Sequence, residues 1–394
     1  MDRKTQRFFG QGGRITILFA LLIGAPFLGT FFGWDFYPPE DENRRMAERP
    51  NFQSLPLAAW PEKTEAYYKD HFGFRNTLIR RHRTLMDDVF DRQSDRALEG
   101  LNGWLFLKDN GNISDFRGLR KLSTEKMEEL RISFEGRQRW LEQQGVQYLF
   151  VISPNKPVVY PEFLPENIQS DRGMDGIVQW EAYLAEQSSV LNILDLRDTL
   201  SANKADGVLY FSNDTHWSYL GSYFGYCGVI RRLAEVFQGL EPLPLEYCSQ
   251  IESKWTGDLV AMIGGCRESE IPCVEIFPDD AYTNQCQVVS RQEVDSLSLP
   301  DEISEACVVR NPAGTGRVVI FHDSFGGQGW YRFFPIHFEE TVFIPVWRLT
   351  ADQLRYVIDV FKPDVIINEQ IHRNVLYKRQ PVFDEWREAL DRAE

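Results

Sequence analysis

Basic side chains are scarce in this sequence of 394 residues, in which 43 Lys and Arg stand against 58 Asp and Glu for a formal net charge of −15. A broad basic surface is therefore excluded, and we expect no nucleic-acid partner. Cysteine is missing from the first 226 residues, since all six cysteines lie between Cys227 and Cys307. No C-x-x-C pair occurs, so the sequence has no motif for zinc or dithiol redox chemistry.

The sequence also lacks the common motifs of nucleotide and metal chemistry. It contains no G-x-x-x-x-G-K-[ST], no H-E-x-x-H and no EF-hand loop, and its G-x-G at Gly314 precedes a strand-like run instead of following one. We therefore predict no cofactor and no metal. The chain has 43% hydrophobic and 13% aromatic residues, which is enough to form a large packed core.

Charged residues are missing from the positions between Arg14 and Asp35. At about 1.5 Å per residue, a helix over these positions is roughly 30 Å long, enough to cross a bilayer. The basic residues before it would stay inside, so the following chain would lie outside the cytoplasm. A cleaved signal peptide and a buried core helix are the alternatives. The predicted divisions are a basic cytoplasmic tail over 1–14, a transmembrane signal anchor over 15–34, a tether over 35–60 and a catalytic domain over 61–394.

The cysteine distribution agrees with export, because an even number of cysteines in an exported chain is typical of disulfides. Up to three bridges would pin the segment that holds them, and the pairing stays open. We interpret residues 241–310, which are rich in turns, as a Cys-rich insertion. The alternative for Cys227, on an apolar helical stripe, is a buried thiol.

From about residue 100, short apolar runs alternate with amphipathic ones, which is typical of an α/β fold with a mostly parallel sheet flanked by helices. Sites in such folds gather beyond the carboxyl ends of the strands. The predicted strands are 103–107, 146–152, 191–196, 317–321, 341–346 and 364–368. The predicted helices are 124–144, 174–190, 217–237 and 351–361.

Two of these strand or helix ends carry side chains suited to acyl transfer. Ser324 follows the apolar strand RVVIF in a turn with glycines, as an exposed nucleophile does. A serine hydroxyl needs a base and the base needs an orienting carboxylate, roles that His216 and Asp214 can fill. A helix cap is the plain alternative for His216. A second alternative is a metallohydrolase centre built from Asp214, His216, His322 and Asp323.

The same motifs resemble a known family. Asp214-Thr215-His216-Trp217, followed about a hundred residues later by Asp323-Ser324-Phe325, is similar to the SGNH-hydrolase-like proteins of polysaccharide O-acetylation typified by AlgJ and AlgX. The runs Glu42-Asn43-Arg44, 67–75 (YYKDHFGFR), 103–106 (GWLF) and 160–165 (YPEFLP) resemble the family too. In ordinary SGNH enzymes the serine comes early in the chain, so the motif order here looks circularly permuted. His322 stands where the family's Gly-Asp-Ser form has glycine.

This resemblance implies an SGNH-like acetyltransferase held in the inner membrane by a single span, with its catalytic domain in the periplasm and Asp214, His216 and Ser324 as its triad. The acceptor would be an exopolysaccharide such as alginate, and a membrane-bound O-acyltransferase would supply the acetyl group. A carbohydrate esterase or deacetylase with the same triad, and a non-catalytic polysaccharide-binding scaffold, are the alternatives.

Four further residues are candidates for contact with substrate. The backbone N–H of Ser324 is the first candidate for an oxyanion donor, with Asn155 as its partner. Three aromatic residues beside the motifs, Trp217, Trp330 and Tyr331, could stack on sugar rings, and the alternative for each is a place in the core.

Overall fold

The structure of the chain is a computed structural model that describes residues 11–36, 46–52, 56–79, 81, 96–108, 111–263, 270–297, 299–346 and 350–392. It contains two compact units, one of Met1–Ser94 with Val260–Arg267, and one of Asp95–Leu259 with Glu268–Glu394. Part of the predicted basic tail, much of the tether with Glu42-Asn43-Arg44, and Cys266 lie outside the described residues.

The first unit contains the helix α1, Gln11–Phe32, which covers most of the uncharged run, and the helix α2, Trp60–His71. Between Gln11 and Arg392, wherever the chain is described, no helix meets both the length and the apolarity needed to span a membrane. The transmembrane anchor therefore stays a prediction.

The second unit contains the strands. They are β1 Ala97–Glu99, β2 Leu105–Leu107, β3 Gln147–Ser153, β4 Ile193–Asp195, β5 Cys248–Thr256, β6 Glu270–Pro278, β7 Gln287–Val288, β8 Cys307–Arg310, β9 Arg317–Phe321, β10 Glu340–Ile344 and β11 Val365–Ile371. The remaining helices of the described chain are α3 Asn112–Phe116, α4 Thr124–Arg131, α5 Arg137–Gln143, α6 Lys156–Val159, α7 Glu166–Gln169, α8 Gly176–Glu186, α9 Arg197–Ala202, α10 Tyr219–Leu233, α11 Asp258–Ile263, α12 Asp280–Thr283, α13 Arg291–Ser296, α14 Ser324–Gly327, α15 Trp330–Phe333, α16 Ala351–Phe361, α17 His372–Tyr377 and α18 Asp384–Asp391.

Seven strands form one sheet in the order β4-β3-β11-β9-β10-β8-β7. The pairings from β4 across to β10 are parallel, and β8 and β7 add an antiparallel edge. The predicted mostly parallel α/β sheet is therefore confirmed. Of the predicted strand 103–107, residues Leu105–Leu107 form β2, which pairs with β1 in a separate two-stranded ribbon.

Both faces of the sheet are buried under helices. Along β3, Leu149 and Val151 join one apolar cluster, and Phe150 and Ile152 join the other. The period of two along a strand sends alternate side chains to opposite faces, so continuous apolar runs are what a doubly covered sheet requires. The helix α10 covers the first face, whereas α8, α16 and α18 cover the second.

The position of α10 follows from its sequence. Ser218 caps the helix, with its hydroxyl accepting a hydrogen bond from the N–H of Gly221. A stripe at helical spacing, including Tyr226, Val229 and Leu233, then lies in the core. The cap fixes where the Asp214–Trp217 segment ends and the helix begins.

The segment 241–310 differs from its prediction. Its strands β5 and β6 form an antiparallel hairpin, but β7 and β8 belong to the main sheet, so only part of the segment is an insertion. The five described cysteines, Cys227, Cys248, Cys273, Cys286 and Cys307, are free thiols. No disulfide joins any two of these five, so the prediction of bridges is wrong among them. Cys227 is the buried thiol of the alternative interpretation, with 1% of its surface exposed.

Candidate active site

A sharp turn after β9 exposes the hydroxyl of Ser324. Asp323 caps the short helix α14 by accepting a hydrogen bond from the N–H of Phe325 at 3.0 Å, and its other oxygen accepts from the N–H of Ile371 at 2.8 Å. Beneath the turn, Glu369 accepts from the N–H groups of Asp323 and Gly326, at 3.2 and 3.0 Å. These bonds fix the backbone around Ser324, whose own side chain stays exposed.

The structure brings Asp214, His216 and Ser324 together. His216 Nδ1 lies 2.7 Å from Asp214 Oδ1, and His216 Nε2 lies 2.8 Å from Ser324 Oγ. The N–H of His216 also donates to Asp214 Oδ1 at 2.8 Å. An ionised carboxylate only accepts, so Nδ1 carries the ring proton and Nε2 is left to accept the proton of the serine hydroxyl.

Donors surround the Asp214 carboxylate. Burial opposes its ionisation, but the hydrogen bonds and charge from His216, together with the N–H of Asp258, lower the pKa of Asp214 to about 2. Its outer oxygen, Oδ2, accepts from Trp255 Nε1 at 2.9 Å and from the N–H of Asp258 at 3.0 Å. Asp214 is therefore ionised across the neutral range.

A second carboxylate, that of Asp258, lies beside this pair. It accepts from the N–H and the hydroxyl of Thr215, at 2.8 and 2.7 Å. Burial, and then the charge of Asp214, raise the pKa of Asp258. One carboxylate oxygen of Asp258, one of Asp214 and a ring nitrogen of His216 all lie within 4.8 Å of one another.

A buried lysine holds the loop that carries Asp214. Lys156 Nζ donates to the carbonyl oxygens of Phe211, Ser212 and Asp214, at 2.9, 3.4 and 2.5 Å. Burial lowers the pKa of Lys156 to about 7, although the charges of Asp214 and Asp258 oppose that shift. This side chain ties the start of α6 to the Asp-x-His segment.

A cavity of about 350 Å³ opens over the Ser324 hydroxyl, within the size range of small-molecule sites, roughly 300–1,000 Å³. Its lining includes His216, Tyr219, Trp255, Ser324, Gln328 and Tyr331. Tyr331, with 50% of its surface exposed, lies where a stacking residue for sugar could act.

Two of the predicted sugar-binding residues belong to the core. Trp217 and Trp330 have no exposed surface, and their indole N–H groups donate to the carbonyl oxygens of Phe325 and Ser222. The prediction that they stack on sugar is wrong, because no face of either ring meets the cavity surface. Trp217 instead ties the base of α10 to the turn that holds Ser324.

The two donors that the sequence predicts for the oxyanion have no partner among the described residues. The backbone N–H of Ser324 begins α14 and makes no hydrogen bond in the described chain. Asn155 is buried, and its Oδ1 accepts from Arg373 Nη1 at 3.4 Å, which leaves its Nδ2 without a described partner. The assignment of both to the oxyanion stays a prediction.

The metallohydrolase alternative needs free carboxylate lone pairs. Asp214 accepts two N–H groups on each oxygen, and Asp323 accepts three across its two oxygens. His216 Nδ1 faces Asp214 as a donor. Because these donors occupy the positions that a cation would take, the chemistry favours the hydrogen-bonded triad.

Sequence reasoning missed four residues of the site: Lys156, Trp255, Asp258 and Glu369. Each reaches the motifs from another element. No local spacing marks any of them. Lys156 lies next to Asn155 at the end of a predicted strand, and that position is the one signal available in the sequence.

A parallel sheet with a Ser–His–Asp constellation at the carboxyl ends of its strands is the architecture of an SGNH-hydrolase-like protein. The family model described as "SGNH hydrolase-like domain, acetyltransferase AlgX" matches residues 97–300, just over half of the chain. The chain therefore belongs to this family, and the predicted AlgJ/AlgX resemblance is confirmed. The matched range includes Asp214 and His216 and ends before Ser324.

Two curated relatives and one solved structure are similar to the chain. A probable alginate O-acetylase AlgJ from Pseudomonas syringae pv. tomato is 24% identical over 163 residues, 41% of this chain and 40% of that protein. The AlgJ of Pseudomonas aeruginosa is 26% identical over 159 residues, 40% of this chain and 38% of that protein. The chain thus matches less than half the length of these relatives. Bacillus cereus PatB1, solved with a sulfonyl adduct, shares the fold, with a TM-score of 0.53 and 14% identity over 72% of this chain and 98% of that one.

Proposed function

We propose that this protein transfers acetyl groups onto the hydroxyls of an exported polysaccharide, through an acetyl ester on Ser324. The proposal rests on the position of the His216 ring, which contacts Asp214 through one nitrogen and Ser324 through the other and lines an open cavity. Membership of the family supports acetyl transfer. The names of the two AlgJ relatives support a polysaccharide acceptor such as alginate.

In the first half-reaction, His216 Nε2 takes the hydroxyl proton as Ser324 Oγ bonds to the acetyl carbonyl carbon of the donor. The negative charge moves to the carbonyl oxygen, where the N–H of Ser324 and the Asn155 amide would stabilise it. When the bond to the donor breaks, His216 returns the proton to the leaving group. Acetyl-Ser324 remains.

In the second half-reaction, a sugar hydroxyl enters the cavity, gives its proton to His216 Nε2 and attacks the acetyl carbon. The bond to Ser324 Oγ breaks, and the proton passes from His216 to the serine oxygen. The acceptor leaves as an acetyl ester, and the enzyme is restored. Tyr331 lies at the rim, where it could stack on the ring of the acceptor.

The proposal extends to location and partners. The uncharged run over 15–34, with its basic flank, supports a single-pass anchor in the inner membrane and a periplasmic catalytic domain. Acetyl-CoA is a cytoplasmic donor, so a membrane-bound O-acyltransferase would hand over the acetyl group. Asp214 and His216 precede Ser324 in the chain, and we propose that this order is a circular permutation of the one in ordinary SGNH enzymes.

The first test replaces the nucleophile. We expect Ser324→Ala to abolish labelling by a serine-directed phosphonate and to abolish acetylation of the polymer, because no other hydroxyl meets His216 Nε2 at hydrogen-bond distance in the described chain. The matched control is Ser296→Ala, on the exposed surface of α13, which should be labelled as the wild type is. Normal acetylation in a Ser324→Ala strain would overturn the proposal.

A second measurement separates transfer from hydrolysis. Purified protein is given an activated acetyl ester with and without a neutral or uronic oligosaccharide, and acetylated sugar and free acetate are both quantified. Acetylated sugar in excess of free acetate supports the transferase. Acetate alone identifies an esterase, and polymer binding without either product identifies a scaffold.

A further inference from the structure

The hairpin of β5 and β6 brings one aromatic side chain into the candidate active site. Trp255, one residue before the end of β5, donates from Nε1 to Asp214 Oδ2 at 2.9 Å. Its strand belongs to a separate two-stranded sheet and not to the sheet that carries Ser324. The orienting carboxylate is therefore held by an element outside the central sheet.

The hydrogen bonds to Asp214 divide between its two oxygens. Oδ1 faces His216, from which it takes the ring Nδ1–H and the backbone N–H. Oδ2 takes the indole of Trp255 and the N–H of Asp258. The Asp-x-His motif thus satisfies one oxygen by itself, and the segment 255–258 satisfies the other. Without that segment, the carboxylate could rotate away from the imidazole.

The indole itself is fixed by neighbouring rings. It stacks on Phe211 with the two ring planes 6° apart and the centroids 4.6 Å apart, and it meets the edge of Tyr219 at 6.0 Å. The same indole lines the cavity above Ser324. One side chain therefore contacts the orienting carboxylate and also borders the space where an acceptor would lie.

We infer that Trp255 is a positioning residue for the triad: its N–H orients Asp214, and through Asp214 the His216 ring, while its ring forms a wall of the acceptor cavity. The inference rests on the proposed acyl-serine chemistry. It assigns the β5–β6 hairpin a part in catalysis that the sequence motifs do not contain. The charge-assisted bond to Oδ2 is the physical basis, since hydrogen bonds to ionised groups are the stronger ones.

The first variant distinguishes the contribution of the Trp255 indole N–H from that of its aromatic ring. Trp255→Phe removes the donor and retains an aromatic ring on Phe211. We expect acetyl-enzyme formation from a small acetyl ester to slow by roughly tenfold or more. Because a carboxylate with fewer donors holds the protonated ring of His216 more strongly, the acid limb of the pH–rate profile should move to higher pH, by about half a unit or more.

A second variant tests the wall. Trp255→Ala should show the same shift of the acid limb and, in addition, a raised KM for an oligosaccharide acceptor, because the ring is gone. Tyr247→Phe, an exposed aromatic at the base of the same hairpin, is the matched control and should leave the rate and the pH profile unchanged. Far-UV circular dichroism and melting temperature establish that each variant is folded.

A spectroscopic measurement makes the result independent of turnover. Of the ten tryptophan indole N–H signals in a ¹H–¹⁵N spectrum, the one missing in Trp255→Phe should shift in Asp214→Asn more than the others do. If that signal does not move and Trp255→Phe keeps the wild-type rate and acid limb, the inference is overturned. If Ser324 is not labelled by phosphonate but the indole signal responds to Asp214, the proposed function fails and the structural part of the inference stands.

Discussion

At the scale of single residues, two carboxylates lie beside the His216 ring. Asp258 is a second carboxylate beside Asp214, and one of its oxygens can carry a negative charge within 4.8 Å of a ring nitrogen of His216. Asp258→Asn removes that charge, and its amide can still accept from Thr215. We expect the acid limb of the pH–rate profile to move to lower pH, by about half a unit, opposite in sign to Trp255→Phe.

The control for Asp258→Asn is Glu252→Gln, which removes one negative charge from an exposed position on β5. Profiles for hydrolysis of a small acetyl ester, measured at fixed ionic strength, compare the three proteins. An acid limb in Asp258→Asn that coincides with that of Glu252→Gln, or that lies at higher pH than the wild type, would contradict this account of the site.

The sequence predicts which residues meet at the triad, because each belongs to a short motif at the end of a strand or the start of a helix. Asp214 and His216 share one motif, and Ser324 follows an apolar strand. Trp217 and Trp330 also lie beside these motifs, but their rings are fully buried. Proximity in sequence does not fix which way a side chain points, and that direction separates these two residues from Tyr331. Trp255 and Asp258 could not be predicted, since only the folded hairpin brings them to Asp214.

At the scale of elements, the turn between β9 and α14 depends on a carboxyl group from the neighbouring strand β11. Glu369 is fully buried and accepts from two backbone N–H groups and from the Ser153 hydroxyl at 2.6 Å. Gln can bond the same three groups, with its oxygen accepting from the two N–H groups and its NH₂ donating to the hydroxyl oxygen of Ser153, which reverses the direction of that one bond. We expect Glu369→Gln to fold and to be labelled at Ser324, and Glu369→Leu to lose about 3 kcal/mol or more of unfolding free energy.

The pH dependence of stability gives a sharper test of the same element. Burial, and then the charge of Asp323, raise the pKa of Glu369 well above its ordinary value. The folded state therefore holds this proton more strongly than the unfolded chain does, and the stability present at acid pH is lost as the pH rises toward the raised value. Glu369→Gln cannot lose that proton. Its melting temperature relative to the wild type should rise between pH 5 and pH 8, and an equal difference at both values would refute the expectation.

The sequence predicts the elements of the central sheet well and the segment 241–310 poorly, for one physical reason. Strands such as β3 and β9 are buried on both faces, so their apolar runs are unbroken and easily recognised. The strands β5 and β6 alternate between exposed and half-buried residues and carry charges. A polar sequence of this kind is also typical of irregular loops. Their pairing depends on contact with each other, and the periodicity of either strand alone is weak evidence for it.

At the scale of the whole molecule, the central sheet has an apolar core on each face, and the five described cysteines add no covalent bridge to these two cores. A domain of roughly 300 residues, about the size of the second unit, buries about three-quarters of the surface that its unfolded form exposes, so it does not depend on disulfides as small exported domains do. The two clusters together include residues from nearly every strand of the main sheet. The cysteines are accordingly spread among separate elements, α10, β5, β6 and β8 among them.

We therefore expect a reductant to leave the melting temperature unchanged. In protein denatured without reductant, iodoacetamide should alkylate each of the five described cysteines, Cys227, Cys248, Cys273, Cys286 and Cys307. Peptide mass spectrometry measures the alkylation of each site separately. Before denaturation, Cys307 should react well ahead of Cys227, because Cys307 is exposed and Cys227 has 1% exposure. Cys307→Ser should remove the fast phase and keep the melting temperature. Alkylation of any of the five only after reduction, or a melting temperature that falls with reductant, would show that a bridge contributes to the fold and that two apolar cores do not suffice.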